Sequence, residues 1–144
     1  MPNPIPKGYG TVTPFLCVAD AAKLIDFLKQ AFGAEVTFRM DRPDGAVAHA
    51  EVKIGDSKVM IGQPAAGEEL RAMLHLYVPD TDATYRSAIS AGAESIREPA
   101  DQFYGDRSAG VRDISGNQWW MATHIEDVTP EEMERRMAAM GAGA

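Results

Sequence analysis

The sequence predicts an α+β fold: two tandem βαβββ units followed by a C-terminal helix. Three recurrences predict it. Val18-Ala19-Asp20 returns as Val78-Pro79-Asp80 at an offset of 60. Gly33-Ala34-Glu35 returns as Gly92-Ala93-Glu94 at 59, and Gly55-Asp56 as Gly116-Asn117 at 61. A helix cap, a helix stop and a strand turn therefore recur in order at nearly constant spacing. One such match arises easily by chance, but three in order do not.

Residues 1–10 carry three prolines and two glycines and read as an irregular arm. Thr11 to Val18 is rich in β-branched and apolar residues and reads as a strand, with Pro14 pointing to an edge position or to the strand's first half. Asp20 is a candidate N-cap, and Ala21, Leu24, Ile25, Leu28 and Phe32 follow at helical spacing. Gly33 stops that helix. Glu35 to Met40 reads as a strand, and Asp44-Gly45 is a hairpin signal. From Ala46 to Ile54 the residues alternate. Val47, His49, Glu51 and Lys53 are expected on one face, and Ala48, Ala50, Val52 and Ile54 on the other. Gly55-Asp56 turns into a short strand, Lys58 to Ile61.

The first unit thus spans 11–62, and the polar segment 63–71 is expected to be a linker. The second unit, 72–125, repeats the order. Met73 to Val78 is a strand, and Asp80 or Thr81 caps a helix that ends at Gly92. Glu94 to Arg97 is a short strand, and Glu98 to Asp106 a loop. Ser108 to Arg112 and Gln118 to Thr123 are strands joined by a turn at Ser115-Gly116-Asn117. In the tail, 126–144, Thr129-Pro130-Glu131-Glu132 forms a capping box. Met133, Met137 and Met140 then line one helical face. That face is expected to pack on the domain or on a second subunit, a methionine-lined ligand lid being the alternative. Residues 141–144 are expected to fray. All these pieces belong to one structural domain.

Composition narrows the function classes. The 144 residues are 45% apolar and 24% charged, ordinary for a globular chain. The formal net charge is −7 and no basic run occurs, so nucleic acid and anionic membranes are not expected partners. No window approaches the ~18 apolar residues of a membrane span. The opening segment, Met1 to Lys7, has no apolar core of a signal peptide. A single cysteine, Cys17, excludes an internal disulfide and multi-cysteine zinc motifs. A cytoplasmic protein with a reduced, packed thiol is expected. No GxGxxG, P-loop or G-x-S-x-G pattern is present.

The ordered set of motifs resembles the vicinal oxygen chelate superfamily (glyoxalase, bleomycin resistance protein and dioxygenase), and within it a PhnB-like branch. The residues that carry the resemblance are Thr13-Pro14-Phe15-Leu16, Ala31-Phe32-Gly33-Ala34, His49-Ala50-Glu51 with Ile54-Gly55-Asp56-Ser57, and Leu74-His75-Leu76-Tyr77-Val78. Asp101 to Arg107, Gly110-Val111-Arg112-Asp113 and Ala122-Thr123-His124 complete the set. The resemblance implies that each unit curls into a half-barrel sheet, that two half-barrels frame a ligand cleft, and that a homodimer is the expected assembly.

It also implies where a metal would sit. Enzymes of this superfamily place four ligands on inward-facing positions, one from the first and one from the last strand of each half. Those positions map here onto Thr13, His75, Trp120 and either Val59 or Met60. Only His75 is a usual ligand for a divalent metal. No cofactor is therefore expected. The alternative is a two-histidine, one-carboxylate set of His49, Glu51 and His75, serving a metal-dependent lyase, isomerase or dioxygenase.

The aromatic content favours binding. Trp119 and Trp120 are neighbours on a strand, so one faces in and the other out, and the mapping turns Trp120 inward. Thr13, Phe15, His49, His75, Tyr77, Phe103, Tyr104, Arg112 and Trp120 are the candidate ligand-binding residues. Phe103 and Tyr104 lie in a loop of the kind that gates clefts. Asp106 and Arg107 are read as a turn-stabilising pair, Arg39 and His124 as surface residues, His124 with a subunit contact in view. The expected function is metal-independent binding of an apolar or aromatic small molecule, a sequestered antibiotic being one candidate.

Overall fold

The computed structural model describes residues 1–142. Residues 143 and 144, where part of the expected fraying falls, lie outside the described residues. The order is β1 (Phe15–Cys17), α1 (Ala21–Phe32), β2 (Glu35–Asp41), β3 (Val47–Ile54) and β4 (Ser57–Gly62). The second half repeats it with β5 (Met73–Tyr77), α2 (Thr81–Ser90), β6 (Glu94–Asp101), β7 (Asp106–Arg112) and β8 (Gln118–His124), before α3 (Pro130–Ala142). Two open four-stranded sheets result, ordered β1-β4-β3-β2 and β5-β8-β7-β6. Among the described residues no helix is long and apolar enough to cross a membrane.

Local chemistry sets the helix ends. The carboxylates of Asp20 and Asp80 accept from the main-chain N–H of Lys23 and Ala83, both at 3.1 Å. Gly33 takes φ 65°, so its own N–H and that of Ala34 can bond back to Lys29 and Leu28. Leu24, Ile25 and Leu28 of α1 are fully buried, together with Leu16, Val52 and Ile61 of the first sheet. Each such side chain contributes about 1.5–3 kcal/mol. Trp119 and Met121 do the same in the second half. The halves meet where α1 packs on α2, with the Phe32 ring 5.0 Å from Trp119. No main-chain hydrogen bond joins the two sheets among the described residues.

Several boundaries differ from expectation. β1 is three residues long, and the pairing with β4 reaches back only to Pro14, whose carbonyl accepts from the Met60 N–H at 2.9 Å. It is an edge strand, consistent with Pro14. β6 continues through Pro99 to Asp101, so the expected loop shrinks to residues 102–105. The proline is tolerated because β6 is also an edge. In β3, Val47 lies in the core with Ala50 and Val52, against simple alternation. Asp41 pairs with Val47 and Met40 with His49, a bulge that turns Val47 over.

The tail also differs. Met137 and Met140 remain largely exposed and do not pack on the domain. α3 is held instead by Arg136, which donates to Glu126, Glu132 and the Phe103 carbonyl. The Glu132 N–H takes the Thr129 hydroxyl, as the capping box requires. Its carboxylate bonds Arg135 and Arg136.

Candidate functional site

Helices cover one face of each sheet and leave the other open. The open faces are built from equivalent rows. In the first half, strand register lines up Phe15, Met60, Glu51 and Phe38 across β1, β4, β3 and β2. In the second it lines up His75, Trp120, Gly110 and Arg97 across β5, β8, β7 and β6. The two rows are related by offsets of 60, 60, 59 and 59.

A bulge recurs at the same point in each half. Val36 faces the core opposite Val52, yet Phe38 faces out opposite Glu51. Ser95 faces α2, where its hydroxyl accepts from Tyr85, yet Arg97 faces out opposite Gly110. In each case two residues that alternation puts on one face lie on opposite faces.

The first open face carries an imidazole and a carboxylate in an apolar frame. His49 Nε2 lies 3.5 Å from Glu51 Oε2. The Phe15 and Phe38 rings stand 5.7 and 6.1 Å from the His49 ring. Met40 is the register partner of His49. Phe15, Phe38 and Met40 are about half exposed.

The second face is flat and aromatic. A Cβ at Gly110 would come within 2.8 Å of the Trp120 ring, so glycine lets the indole lie down on β7. The Arg97 guanidinium sits 4.9 Å from that ring's centre, at cation–π distance. It donates to the Ser108 hydroxyl. Trp120 Nε1–H donates to Gln118 at 3.0 Å. The His75 and Tyr77 rings meet edge to face at 5.0 Å.

Thr13, His75 and Tyr77 line a groove of about 890 Å³ between the halves, with Lys58, Phe32 and Trp119. Phe15, His49 and Trp120 lie on the open faces, and His75, at the edge of the second, borders both. Phe103 and Tyr104 pack edge to face at 5.2 Å in the 102–105 turn. Arg112 stands at the other end of the β6–β7 hairpin, paired with Glu94 at 3.9 Å. Six residues of strand, roughly 20 Å, separate it from that turn. Arg112 and the Phe103–Tyr104 turn therefore do not share one small ligand.

The metal mapping needs one correction. Register makes His75 the counterpart of Phe15, not of Thr13, and Trp120 the counterpart of Met60. Val59 is buried in the core. The four first- and last-strand positions are thus Phe15, Met60, His75 and Trp120. Two residues earlier stand Thr13, Lys58, Met73 and Gln118. Neither set holds more than one usual ligand. His49 and Glu51 belong to the first sheet and His75 to the second. Among the described residues no three His, Cys, Asp or Glu side chains converge as a metal-binding group. The residues present do not fit the family's metal.

Other charged candidates are structural. Arg107 does not pair with Asp106; it makes two hydrogen bonds to Asp82, at 2.7 and 2.9 Å, and a third to Asp101. Asp106 instead meets His124 Nδ1 at 2.8 Å, and Asp127 meets its Nε2 at 2.7 Å. These bonds, the Asp127 one foremost, raise the His124 pKa. Arg39 pairs with Asp41 on the surface at 2.9 Å.

Sequence reasoning missed Phe38, Met40, Arg97 and Gly110. Gly110 left a signal, a glycine inside a strand opposite a tryptophan position. Phe38 and Arg97 were hidden by the bulges.

The sheet topology and this pair of open faces define a class of paired βαβββ proteins. The chain belongs to the Glyoxalase/Bleomycin resistance protein/Dioxygenase superfamily, whose family model matches residues 10–121. Among its relatives, the uncharacterised protein Mb0911c of Mycobacterium bovis is 33% identical, covering 92% of this chain and 95% of that one. The uncharacterised Rv0887c of Mycobacterium tuberculosis is also 33% identical, over 92% and 85%. TioX of a Micromonospora species is similar in structure, with a TM-score of 0.69 and 25% identity over 81% of this chain and all of TioX. The fosfomycin resistance protein FosX of Listeria monocytogenes shares the fold, with a TM-score of 0.61 and 18% identity over 86% and 97% of the two chains.

Proposed function

We propose that the protein binds a planar apolar or aromatic small molecule on its open sheet faces, without a bound metal. The observation that carries this reading is the Trp120 indole laid flat over Gly110. It supplies a stacking surface at a register position where the family's enzymes would carry a ligand. Antibiotics are among the candidate ligands, and sequestration is the mode of action.

A second copy closes the site in this reading. Met73 and Tyr77 are about 70% exposed and Phe15 about half, more apolar surface than a working cleft leaves in water. A homodimer in which the first sheet of one protomer faces the second sheet of the other would enclose both rows. The motifs around His49 and Asp101–Arg107 support a place near the PhnB-like branch. The PhnB protein of Bacillus cereus shares the fold at 13% identity and a TM-score of 0.64. The net charge of −7 supports a role away from nucleic acid and anionic membranes. The lone cysteine fits a reducing cytoplasm.

The test is a tryptophan-fluorescence titration of the protein and of Trp120→Phe with planar polycyclic natural products. Saturable quenching that disappears in Trp120→Phe is the expected result. No saturable response from any compound, or quenching unchanged in the variant, overturns the reading. Elemental analysis after loading with Zn, Ni, Mn and Fe(II) tests the other half. Near-stoichiometric retention would remove metal independence.

A further inference from the structure

Arginines in this chain find carboxylates. Five arginines are partly buried among the described residues: Arg42, Arg97, Arg107, Arg112 and Arg136. Four of them have an Asp or Glu oxygen within 4.0 Å. Arg97 has none, although acids outnumber bases 21 to 14 in the sequence. Its Nε is buried and has no hydrogen-bond partner. Only Ser108 takes one of its five N–H groups. A desolvated guanidinium N–H without an acceptor is costly, and a chain rich in free carboxylates had ready means to satisfy it.

The position is specific. Arg97 reaches the open face only because of the bulge between Ser95 and Arg97. Gly110 then removes the side chain that would separate it from Trp120. A cation with vacant donors therefore lies over the Trp120 ring, 4.9 Å from its centre, with the Ser108 hydroxyl next to it. The equivalent position in the first half is Phe38, which offers no charge.

We propose that Arg97 and Ser108 recognise the anionic group, a carboxylate above all, of a planar aromatic acid whose ring system packs beside Trp120. The assignment rests on the small-molecule reading above and adds to it the class of ligand. A guanidinium binds a carboxylate through two parallel N–H donors, and water is partly excluded here, which strengthens the pair.

The probes are 2-naphthoate and its uncharged counterpart 2-naphthamide, titrated against the protein, Arg97→Gln and Arg97→Lys. The unaltered protein should bind the acid roughly ten- to a hundredfold more tightly than the amide, the worth of a charge-assisted pair. Arg97→Gln should bring the ratio close to one while keeping the amide's affinity, and Arg97→Lys should restore part of it. The ratio in the unaltered protein should also shrink as salt rises from about 0.02 to about 0.5 M, which needs no variant to fold. Equal binding of the two probes, or a ratio that survives Arg97→Gln, overturns the anion assignment and leaves aromatic binding intact. Binding of neither probe overturns both. A sedimentation coefficient that changes in Arg97→Gln with no change in the ratio assigns Arg97 to a contact with a second copy and overturns the proposal.

Discussion

Asp113 is buried, and its two oxygens accept from Ser115 N–H at 2.7 Å, Asn117 N–H at 3.0 Å, Asn117 Nδ2–H at 3.1 Å and Trp119 Nε1–H at 2.8 Å. One carboxylate thus closes the β7–β8 turn and orients the largest core side chain. Asp113→Ala would strand several buried N–H groups, and urea unfolding should show a loss of about 2–4 kcal/mol. Asp113→Asn should lose less, because one amide oxygen still accepts. Gly110→Ala should reach the open face alone: the indole is pushed off β7, and the fluorescence of Trp120 changes while stability falls modestly. At this scale the sequence was legible where chemistry is local. The caps at Asp20 and Asp80, the turn at Gly116 and the opposed faces of Trp119 and Trp120 all follow from neighbours in the chain. Arg97 was not legible, because its direction depends on which partner residue lies opposite it.

The β6–β7 turn, the segment 124–128 and α3 form a single clasp. The Gly105 carbonyl accepts from both Ile125 and Glu126 N–H, at 2.9 and 3.0 Å. A Cβ on Gly105 would collide with the main-chain carbonyl oxygen of Glu126, and its φ is +100°. Gly105→Ala should therefore detach the segment from the turn, seen as faster amide exchange across 124–128. The clasp also carries a pH dependence. Both ring nitrogens of His124 meet carboxylates, which calls for the imidazolium, and its pKa is raised. That contribution is complete below the unfolded value of about 6.5 and is lost as pH climbs through the raised one. Arg135 and Arg136 lower Glu132 to about 2, and Arg136 lowers Glu126. Their contribution is present above the ordinary value of about 4.3 and is lost as pH falls. Amide protection in 124–136, taken relative to the free chain's exchange at each pH, should be highest between roughly pH 5 and 6.5 and lower on either side. His124→Gln should remove the alkaline limb only. These elements were visible in sequence as strands and a helix. Their ends were not, since β6 extends through Pro99 by virtue of its edge position, and edge or centre is a property of the whole sheet.

Across the whole molecule, the repeat was readable because duplicated caps and turns keep their spacing. How the two halves stand to each other was not, since no local motif encodes which sheet face meets a neighbour. The open apolar faces make the assembly testable. Sedimentation velocity should show a dimer, and Phe38→Asp with Met73→Asp should shift it toward monomer without unfolding either half. The absence of strand bonding between the halves has a separate consequence. They cohere through side chains, α1 against α2 and Phe32 against Trp119; the covalent link runs through residues 63–71, where the Leu70 N–H donates to the Cys17 carbonyl of β1 at 3.0 Å. A protein nicked at Gly67 should stay together in dilute buffer. Two separately expressed fragments should also find each other, by a bimolecular reaction whose yield depends on their concentration.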